Sequence, residues 1–577
     1  MKRIAVFLYA NFILSIVFFI FNTSFSAGIP LLSLPVWLIF SAAFGYFAIY
    51  RFVIKNETKF VFTAVKFLEY LPFVMLIVFF LFRADGRETS FGRDLFTVIL
   101  WVVTFIVSLV TLFFLKPKRL PFEVPERNKY TGAKWVLAEA LDWLDAALQA
   151  VFIIILVNVF IIQLYMIPSE SMVPQFLVKD RVVVFKTPAG PTFPLTEISL
   201  PRLRSYKRGD IVVFRNPHTE QTKKSEVKNF TNQLVFMLTL TTVNLNVDEK
   251  GEVIADPLVK RVTGVPGEQL VMVDGVLYSR TKDNNTFTPV KEDASWAELN
   301  LNELPEKLKK NIHEFPVSEE FFASLLKTEK LRKELNIEQA QKEAENITNS
   351  FLQIRNKISH ADSNTADYKN TLLPKDMYAY PMFSKHEDIT RKLLTVDGGG
   401  KWFSEFMTNW FNTYSDSVLA EDPYVDSMFR LNLLLKLTFG KLILYDSEVM
   451  YYGKPVSVSY SEQAELMQLA QDLYLYTMLN DSRNMCVFPS NENGSPRYIP
   501  DDCFFMMGDN RFNSLDMRHS YDLKTVKITN LDDYSLHYSS RLEPQYVNAK
   551  RMLGGTSFRF WPLNRISLIK RNKQATN

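Results

Sequence analysis

The stretch "LQAVFIIILVNVFIIQLYMIPSESMVPQF", Leu148–Phe176, joins two different kinds of sequence. Its first part, Leu148–Met166, is almost wholly apolar and approaches the roughly 20 residues that a helix needs to cross a membrane. Its second part places two serines on either side of a glutamate, immediately after the apolar run. The junction predicts a chain that leaves the membrane and enters a polar domain within a few residues.

Four earlier runs are similar to the first part of this stretch in length and apolar character. They are Ile4–Phe21, Ile29–Phe52, Phe60–Phe82 and Leu95–Leu115. Buried helices of a soluble domain are the alternative, but five such runs within 166 residues argue against it. We therefore predict a membrane domain over residues 1–166 with about five transmembrane helices. The third run is the weakest, because Lys66 and Glu69 lie in its first turns.

The basic residues between these runs indicate their orientation. If all five runs span, the basic residues before the first run, after the second and after the fourth fall on one side of the membrane. They are Lys2, Arg3, Arg51, Lys55, Lys59, Lys116, Lys118, Arg119, Arg127, Lys129 and Lys134. The positive-inside rule makes that side cytoplasmic, so everything after Met166 lies outside the cytoplasm. A cleavable signal peptide over the first 27 residues is the competing interpretation. It leaves the C-terminal part on the same side.

Composition limits the remaining function classes. A chain of 577 residues is long enough for several domains. The net charge of +4 is small for this length and is not gathered into a basic stripe, so we expect no nucleic-acid partner. The six histidines and two cysteines show no metal-binding spacing, so we expect neither a metal nor another cofactor. Cys486 and Cys503 could form a disulfide outside the cytoplasm or remain two unpaired thiols.

Four blocks after the apolar region predict a β domain. Three of them contain short runs rich in Val, Ile and Phe, bounded by Gly, Pro and Asp, which is typical of strands joined by tight turns. The blocks are residues 167–186, 206–217, 258–278 and 504–518.

The blocks also contain a candidate nucleophile and base. A serine hydroxyl such as that of Ser171 reacts poorly without a base, and no histidine motif is present to supply one. A lysine can act instead if burial lowers its pKa. Lys260 and Arg261 should face opposite sides of a strand, and arginine cannot be the base, so Lys260 is the candidate. The alternatives are that Ser171 is a solvated turn residue and that both cations lie on a solvated edge strand.

The order of the four blocks resembles the type I signal peptidase (leader peptidase) family of membrane-anchored Ser/Lys proteases. The blocks read PSxSM followed by proline, RGDIVVF, KRVxGxPG and GDNRxNSxDxR. The resemblance implies that Ser171 is the nucleophile and Lys260 the general base. It implies that Ser169 contributes to the oxyanion hole with the backbone N–H of Ser171, and that Ser514 orients the lysine.

The resemblance also implies supporting and pocket residues. Asp516 and Arg518 match an ion pair, and Asp509 and Arg511 belong to the same supporting motif. The residues implied to line shallow pockets for small substrate side chains are Ile167, Met172, Phe176 and Val259. The chain departs from the family's usual residues at Glu170, Gln175, Phe512 and Met517, which leaves pocket detail open.

The rest of the chain predicts inserted structure. We divide the β domain into residues 167–280 and 501–577, separated by an α-rich insertion at 281–500. In that insertion Ala340, Ala344, Ile347, Phe351, Ile354 and Ile358 have helical spacing. Residues 466–479 predict another helix. A smaller insertion lies near residues 218–252, and its apolar part at 234–247 could be a hairpin.

The predicted fold is thus a multi-span α-helical membrane domain, followed by a mostly-β signal-peptidase-like catalytic domain with a large, largely helical insertion. Met166 and Ser171 are about five residues apart, which span about 17 Å when extended, so the site should lie near the bilayer surface.

The predicted function is a membrane-bound serine endopeptidase that removes signal peptides from exported preproteins through an acyl-enzyme. It would lie in the cell (inner) membrane with its catalytic domain on the non-cytoplasmic side. The expected partners are the lipid bilayer and preprotein signal peptides with small residues at the cleavage site. The alternatives are a dedicated Ser/Lys processing protease for few substrates and a non-catalytic membrane receptor or assembly factor.

Overall fold

The computed structural model places apolar helices, a β domain and a second helical region in one chain. It describes residues 1–23, 31–85, 89–123, 131–217, 222–239, 241–245, 257–298, 300–314, 317–358, 383, 386–492, 495–519, 529–530 and 537–569. Arg127 and Lys129, which the sequence assigns to the cytoplasmic side, lie outside the described residues.

The N-terminal helices match the predicted membrane-spanning runs. They are α1 (Lys2–Asn22), α2 (Ser33–Phe44, continued by a π-helical stretch, Gly45–Ile54), α3 (Val61–Ala84), α4 (Phe91–Phe114) and α5 (Ala133–Phe160). Among the described residues, five helical segments are long and apolar enough to cross a membrane. The prediction of a multi-span helical region is confirmed.

The charged residues of the third run are paired with α5. Lys66 Nζ lies 2.7 Å from Asp145 Oδ2 and 2.8 Å from Glu69 Oε2. The hydroxyl of Tyr70 donates to Asp145 Oδ1 at 2.7 Å. Because ionisable groups within apolar helices are costly unless they are paired, these contacts explain how the run tolerates its charges.

The fifth run ends earlier as a helix than the sequence predicts. Helix α5 ends at Phe160, and Ile162–Met166 forms strand β1, which pairs antiparallel with β2 (Arg181–Phe185). The prediction of a span that continues to Met166 is therefore wrong. Pairing with β2 buries Gln163 and outweighs the helical preference of the apolar residues. The chain consequently enters the β domain as a paired strand and not as a free tether.

Among the described residues, the β strands form two larger antiparallel sheets and a two-stranded one. The further strands are β3 (Ile211–Phe214), β4 (Leu258–Gly264), β5 (Glu268–Val273), β6 (Val276–Thr281), β7 (Thr288–Pro289), β8 (Met485–Phe488), β9 (Cys503–Met507), β10 (Thr529–Asn530), β11 (His537–Tyr538), β12 (Val547–Asn548), β13 (Met552–Trp561) and β14 (Ser567–Leu568). The larger sheet has the order β1-β2-β13-β3-β4-β9-β12, with β14 on β13, the smaller has the order β7-β6-β5-β8, and the two-stranded one is β10-β11. The mostly-β prediction is confirmed.

The smaller insertion contains a helix where a hairpin was considered. Helix α6 spans Lys223–Leu238, and a capping box between Thr222 and Ser225 starts it. The ring of Phe230 in this helix packs against the ring of Phe80 in α3, tilted by 36° with the centroids 4.6 Å apart. The hairpin interpretation of residues 234–247 is wrong at its start, which lies in α6, because packing on the membrane helices buries an apolar helical face. Residues 246–247 lie outside the described residues.

The large insertion is helical, as predicted. Its helices are α7 (Lys291–Ala294), α8 (Glu306–Lys309), α9 (Glu319–Glu334), α10 (Ile337–Ile358), α11 (His386–Thr395), α12 (Gly399–Thr408), α13 (Asp416–Glu421), α14 (Pro423–Tyr452) and α15 (Tyr460–Arg483). The predicted apolar face of α10 is buried from Ala340 to Ile354, whereas Ile358 at the end of the helix is 39% exposed. The predicted helix at 466–479 lies within α15.

Buried ion pairs join these helices to the β domain. Arg332 of α9 pairs with Asp274 in the turn between β5 and β6. Arg483 of α15 pairs with Glu329 of α9 at 2.5 Å and also donates to the Asp274 carbonyl at 2.9 Å. These contacts hold the helical region against one sheet, while the exact division of the chain into domains stays a prediction.

Candidate active site

Ser171, the predicted nucleophile, lies in a tight turn that follows β1. Residues Glu170–Met172 form a single 3₁₀ turn. Ser171 is largely buried, with 7% of its surface exposed. The Ile167 N–H donates to the Asp180 carbonyl at 2.8 Å and closes the base of the loop. The hydroxyl is therefore held close to the edge of the larger sheet.

The loop after β9 packs directly on this turn. The Asn510 N–H donates to the Ser171 carbonyl at 3.2 Å, and Asn510 Nδ2 donates to the Glu170 carbonyl at 3.3 Å. A Cβ atom at Gly508 would collide with the Ser171 carbonyl oxygen and with the Ser514 hydroxyl. Glycine is required at this position by lack of space.

Lys260, the predicted base, reaches Ser171 from the interior of the sheet. Its Nζ lies within hydrogen-bond distance of Ser171 Oγ, at 2.6 Å. Strand β4 pairs with β3 on one side and with β9 on the other, and Lys260 and Arg261 are only 3% and 2% exposed. The alternative that both cations lie on a solvated edge strand is wrong. The expected opposite orientations are observed, since Arg261 contacts Asp509 instead of Ser171.

Burial sets the protonation behaviour of the lysine. It lowers the pKa of Lys260 from 10.5 to about 8, although Asp516 and Asp509 act in the opposite direction. Burial also acts on Asp516, but Arg518 and His519 hold the pKa of its carboxyl well below the usual range. An ionised carboxylate and a lysine that can lose its proton near neutral pH thus lie in one buried region.

Ser169 lies next to the predicted nucleophile. Its hydroxyl donates to Ser171 Oγ at 3.2 Å, and Ser169 itself is exposed. The two serines of the opening stretch are therefore in contact, one at the surface and one covered. The contribution of Ser169 to an oxyanion hole stays a prediction.

Ser514 makes a different hydrogen bond from the one expected. Its hydroxyl donates to Asp516 Oδ2 at 2.8 Å, and the same oxygen accepts the Gly508 N–H at 2.9 Å. Arg518 contacts Asp516 at 2.9 Å, and both are fully buried. The expected ion pair is thus present as a contact, whereas the direct orientation of Lys260 by Ser514 stays a prediction.

Asp509 and Arg511 each pair with a residue that the sequence did not single out as a partner. Asp509 accepts two hydrogen bonds from Arg261, at 2.7 and 2.6 Å. Arg511 donates to Asp293 of α7 at 2.6 Å. No spacing in the sequence links residues separated by more than 200 positions, so these partners could not be found from motifs.

The four predicted pocket residues divide into two groups. Ile167, Met172 and Phe176 are at most 2% exposed and pack in one apolar cluster with β2 and β3. Val259 is only partly buried against that cluster. Of the four, Val259 lines a pocket, and the contact of all four with a substrate stays a prediction.

That pocket lies where the membrane helices meet the β domain. Its walls come from the end of α5, strand β1, helix α6 and the segment at 192–195. Leu164 and Met166 of β1 line it, and Pro168 brings it next to the Ser171 turn. Lys186 also lines the pocket, its Nζ donates to the Asn158 carbonyl of α5 at 3.0 Å, and burial lowers its pKa to about 8. The pocket extends from the membrane exit of α5 towards the serine.

The described residues contain no set of side chains placed to bind a metal ion. No group of three or more His, Cys, Asp or Glu side chains there is placed to hold a metal ion. Cys486 and Cys503 are both free thiols, which decides between the two alternatives for these residues.

The comparison with protein families agrees with this geometry. A family model described as "Signal peptidase, peptidase S26" matches residues 140–345. This match supports a relationship of residues 140–345 to the signal peptidase family. The matched range contains both Ser171 and Lys260 and ends before the loop that carries Ser514.

Two curated signal peptidases I are similar to part of the chain. That of Buchnera aphidicola subsp. Baizongia pistaciae (strain Bp) is 29% identical over 127 residues, which are 22% of this chain and 38% of the relative. That of Buchnera aphidicola subsp. Schizaphis graminum (strain Sg) is 30% identical over 125 residues, which are 21% of this chain and 38% of the relative. The chain therefore spans well under half the length of these signal peptidases. No solved structure matches it significantly.

Proposed function

We propose that the protein is a membrane-bound serine endopeptidase that removes signal peptides from exported preproteins. The observation that carries the proposal is the 2.6 Å contact between the buried Lys260 Nζ and Ser171 Oγ. A lysine whose pKa is lowered to about 8 can remove a proton from a serine near neutral pH. The signal peptidase family of residues 140–345 supports the substrate class.

In the proposed reaction the neutral Lys260 amine takes the Ser171 proton while Ser171 Oγ bonds to the scissile carbonyl carbon. The Ser169 hydroxyl and the backbone N–H of Ser171 donate to the oxyanion. The Lys260 ammonium then gives its proton to the leaving amine as the peptide bond breaks. Water then loses a proton to the neutral Lys260 amine and bonds to the acyl carbon. As the ester bond to Ser171 Oγ breaks, the Lys260 ammonium returns that proton to Oγ and the new carboxyl end of the peptide is released.

The position of the site supports a substrate that emerges from a membrane. Helix α5 passes into β1, and β1 leads into the Ser171 turn within a few residues. In the proposed function, a peptide leaving the bilayer meets the β domain first at β1, the strand that follows α5. We place the β domain on the non-cytoplasmic side of the cell membrane, in agreement with the basic residues before α1, α3 and α5.

A dedicated processing protease with few substrates is the second candidate. The observation that favours it is the position of the insertion, since Leu301, Leu304 and Ile312 pack on Val173 and Leu177 beside the Ser171 turn. An insertion that lies this close to the nucleophile limits which peptides can approach it.

The proposal is tested with the full-length protein in proteoliposomes. A preprotein with Ala at the two small-residue positions of its cleavage site should be cut, and a matched preprotein with Leu or Phe there should not. Ser171→Ala should abolish cleavage. If the protein cuts none of several unrelated preproteins but does cut one particular membrane protein, the second candidate is favoured. Cleavage by the Ser171→Ala protein at the rate of the unaltered protein would exclude both candidate functions.

A further inference from the structure

The residue between the two serines, Glu170, contacts the insertion. It is only 5% exposed. Its Oε1 accepts the N–H of His313 at 2.5 Å, and its Oε2 accepts the N–H of Glu314 at 3.1 Å. A buried carboxylate is unfavourable unless its oxygens are hydrogen-bonded, and bonds to an ionised acceptor are about twice as strong as neutral ones. The glutamate therefore joins the turn to residues 300–314, here named the covering segment.

The covering segment also packs on the other side of Ser171. Val173 and Leu177 follow the nucleophile, and both are buried in a cluster with Leu301, Leu304 and Ile312. The turn is thus held by the covering segment through a charged contact before Ser171 and through an apolar contact after it. A movement of the covering segment would displace the backbone on both sides of the hydroxyl.

The same segment contacts the loop after β9. Asn513 Nδ2 donates to Glu314 Oε2 at 3.0 Å. Asn510 in that loop is bonded to the carbonyls of both Glu170 and Ser171. The turn, the loop and the covering segment therefore form a closed set of contacts around the nucleophile.

We propose that Glu170 is a positioning residue that fixes the Ser171 turn to the covering segment, so that the reactivity of Ser171 depends on the insertion. The proposal rests on the proposed function for its catalytic readout. Its physical basis is the sensitivity of a nucleophile to position, since a displacement of about 1 Å can reduce a rate by about 100-fold. Glu170 does not contact the reacting atoms and acts through the backbone of its neighbour.

The test compares Glu170→Gln with a matched control in the full-length protein. Glu448 is the control, because it is also 5% exposed and its Oε2 accepts the N–H groups of Val456 and Ser457, at 2.9 and 2.8 Å. Glu170→Gln keeps the shape of the side chain but replaces one carboxylate oxygen with an amide NH₂ group. That group repels the backbone N–H of His313 or Glu314, which the oxygen accepts. It should lower kcat for preprotein cleavage by about 100-fold with KM nearly unchanged. Glu448→Gln should leave kcat unchanged, and Glu170→Asp should recover part of the loss.

Hydrogen exchange provides a readout that needs no substrate. The amides of His313 and Glu314 should exchange faster in Glu170→Gln than in the unaltered protein or in Glu448→Gln. Faster exchange together with an unchanged kcat would overturn the positioning role, and unchanged exchange would overturn the contact itself. If the unaltered protein cuts no preprotein, the proposed function fails, while the exchange rates still confirm or overturn the link between Glu170 and the covering segment.

Discussion

Lys260 Nζ and Ser171 Oγ lie 2.6 Å apart, although 89 positions separate the two residues in the chain. Strand β4 brings the lysine to the serine from the interior of the larger sheet, where water is largely excluded. The base is therefore supplied by a central strand and the nucleophile by a tight turn packed against it.

Removing either member should abolish cleavage. We expect Ser171→Ala and Lys260→Met to lower kcat by at least about 10³-fold, since groups that act as a unit lose their effect together. The measurement is preprotein cleavage in proteoliposomes. Lys436→Met is the control, because Lys436 is also buried, at 4% exposed, but lies in α14 beside Phe406. Activity retained by Lys260→Met would show that another group is the base.

The rate should rise with pH. Because burial lowers the pKa of Lys260 to about 8, only the minor neutral fraction is active at pH 6 to 7. We expect kcat to increase by about tenfold per pH unit in that range and to level off above pH 8. Asp516 raises the pKa of Lys260, so Asp516→Asn should move the midpoint to lower pH. A rate that is flat from pH 6 to 9 would contradict the role of the lysine.

Lys260→Met should also stabilise the fold at low pH. The folded-state pKa lies below the ordinary value of 10.5, so the folded protein disfavours the ammonium form. Burying the ammonium lowers the unfolding free energy by its full amount below pH 8, where the lysine is charged in both the folded and the unfolded protein. This loss declines between pH 8 and 10.5 and vanishes above pH 10.5. We expect the variant to be more stable by about 3 kcal/mol at pH 6, measured as a higher thermal midpoint in detergent. A lower midpoint at pH 6 would argue against a buried ammonium.

Gly508→Ala should damage the site, because the new methyl group meets the Ser171 carbonyl and the Ser514 hydroxyl. We expect a loss of about 1–3 kcal/mol in unfolding free energy and a large fall in kcat. Gly555→Ala is the matched control within β13, since its Cβ would meet only the Ile211 carbonyl oxygen, at 3.9 Å. Equal activity of the two variants would show that the loop after β9 can move away.

Asp293→Asn should destabilise the protein by leaving Arg511 buried without its charged partner. Both side chains are at most 2% exposed, and breaking such a pair costs about 3–5 kcal/mol. Asp502→Asn provides the comparison, because the Asp502 side chain is 63% exposed in its pair with Arg202 and should contribute less than about 1 kcal/mol. Chemical unfolding of the purified protein measures both, and similar values would contradict the burial argument.

Much of the fold could be predicted from local pattern. Apolar length identified the spanning helices, and helical spacing identified the buried face of α10, because both depend on neighbouring residues alone. The end of α5 was predicted too late, since the residues of β1 are equally apolar and only pairing with β2 decides their conformation. Helix α6 was missed for a similar reason, because its packing partner Phe80 lies in α3.

The contacts in the candidate site were likewise predictable only where they depend on local pattern. Alternation along β4 correctly separated Lys260 from Arg261, and the structure brings Ser169, Ser171 and Lys260 together. The hydrogen bond of Ser514 to Asp516 and the pairing of Arg511 with Asp293 could not be predicted, because they depend on how loops from distant parts of the chain meet. The contacts of Glu170, a departure from the family's usual residue, could not be predicted either, because its partners are backbone groups that leave no mark on residue identity.

Strand β1 has a consequence for where a peptide can be cut. It is joined to α5 at one end and paired with β2 along its whole length, while α6 braces the same region against α3. Two attachments of this kind should limit how far the β domain can move relative to α5 and α3. Under the proposed function, the Ser171 hydroxyl would then stay at one height above the bilayer. A bond would be selected by its distance from the last lipid-embedded residue of the peptide as well as by its side chains.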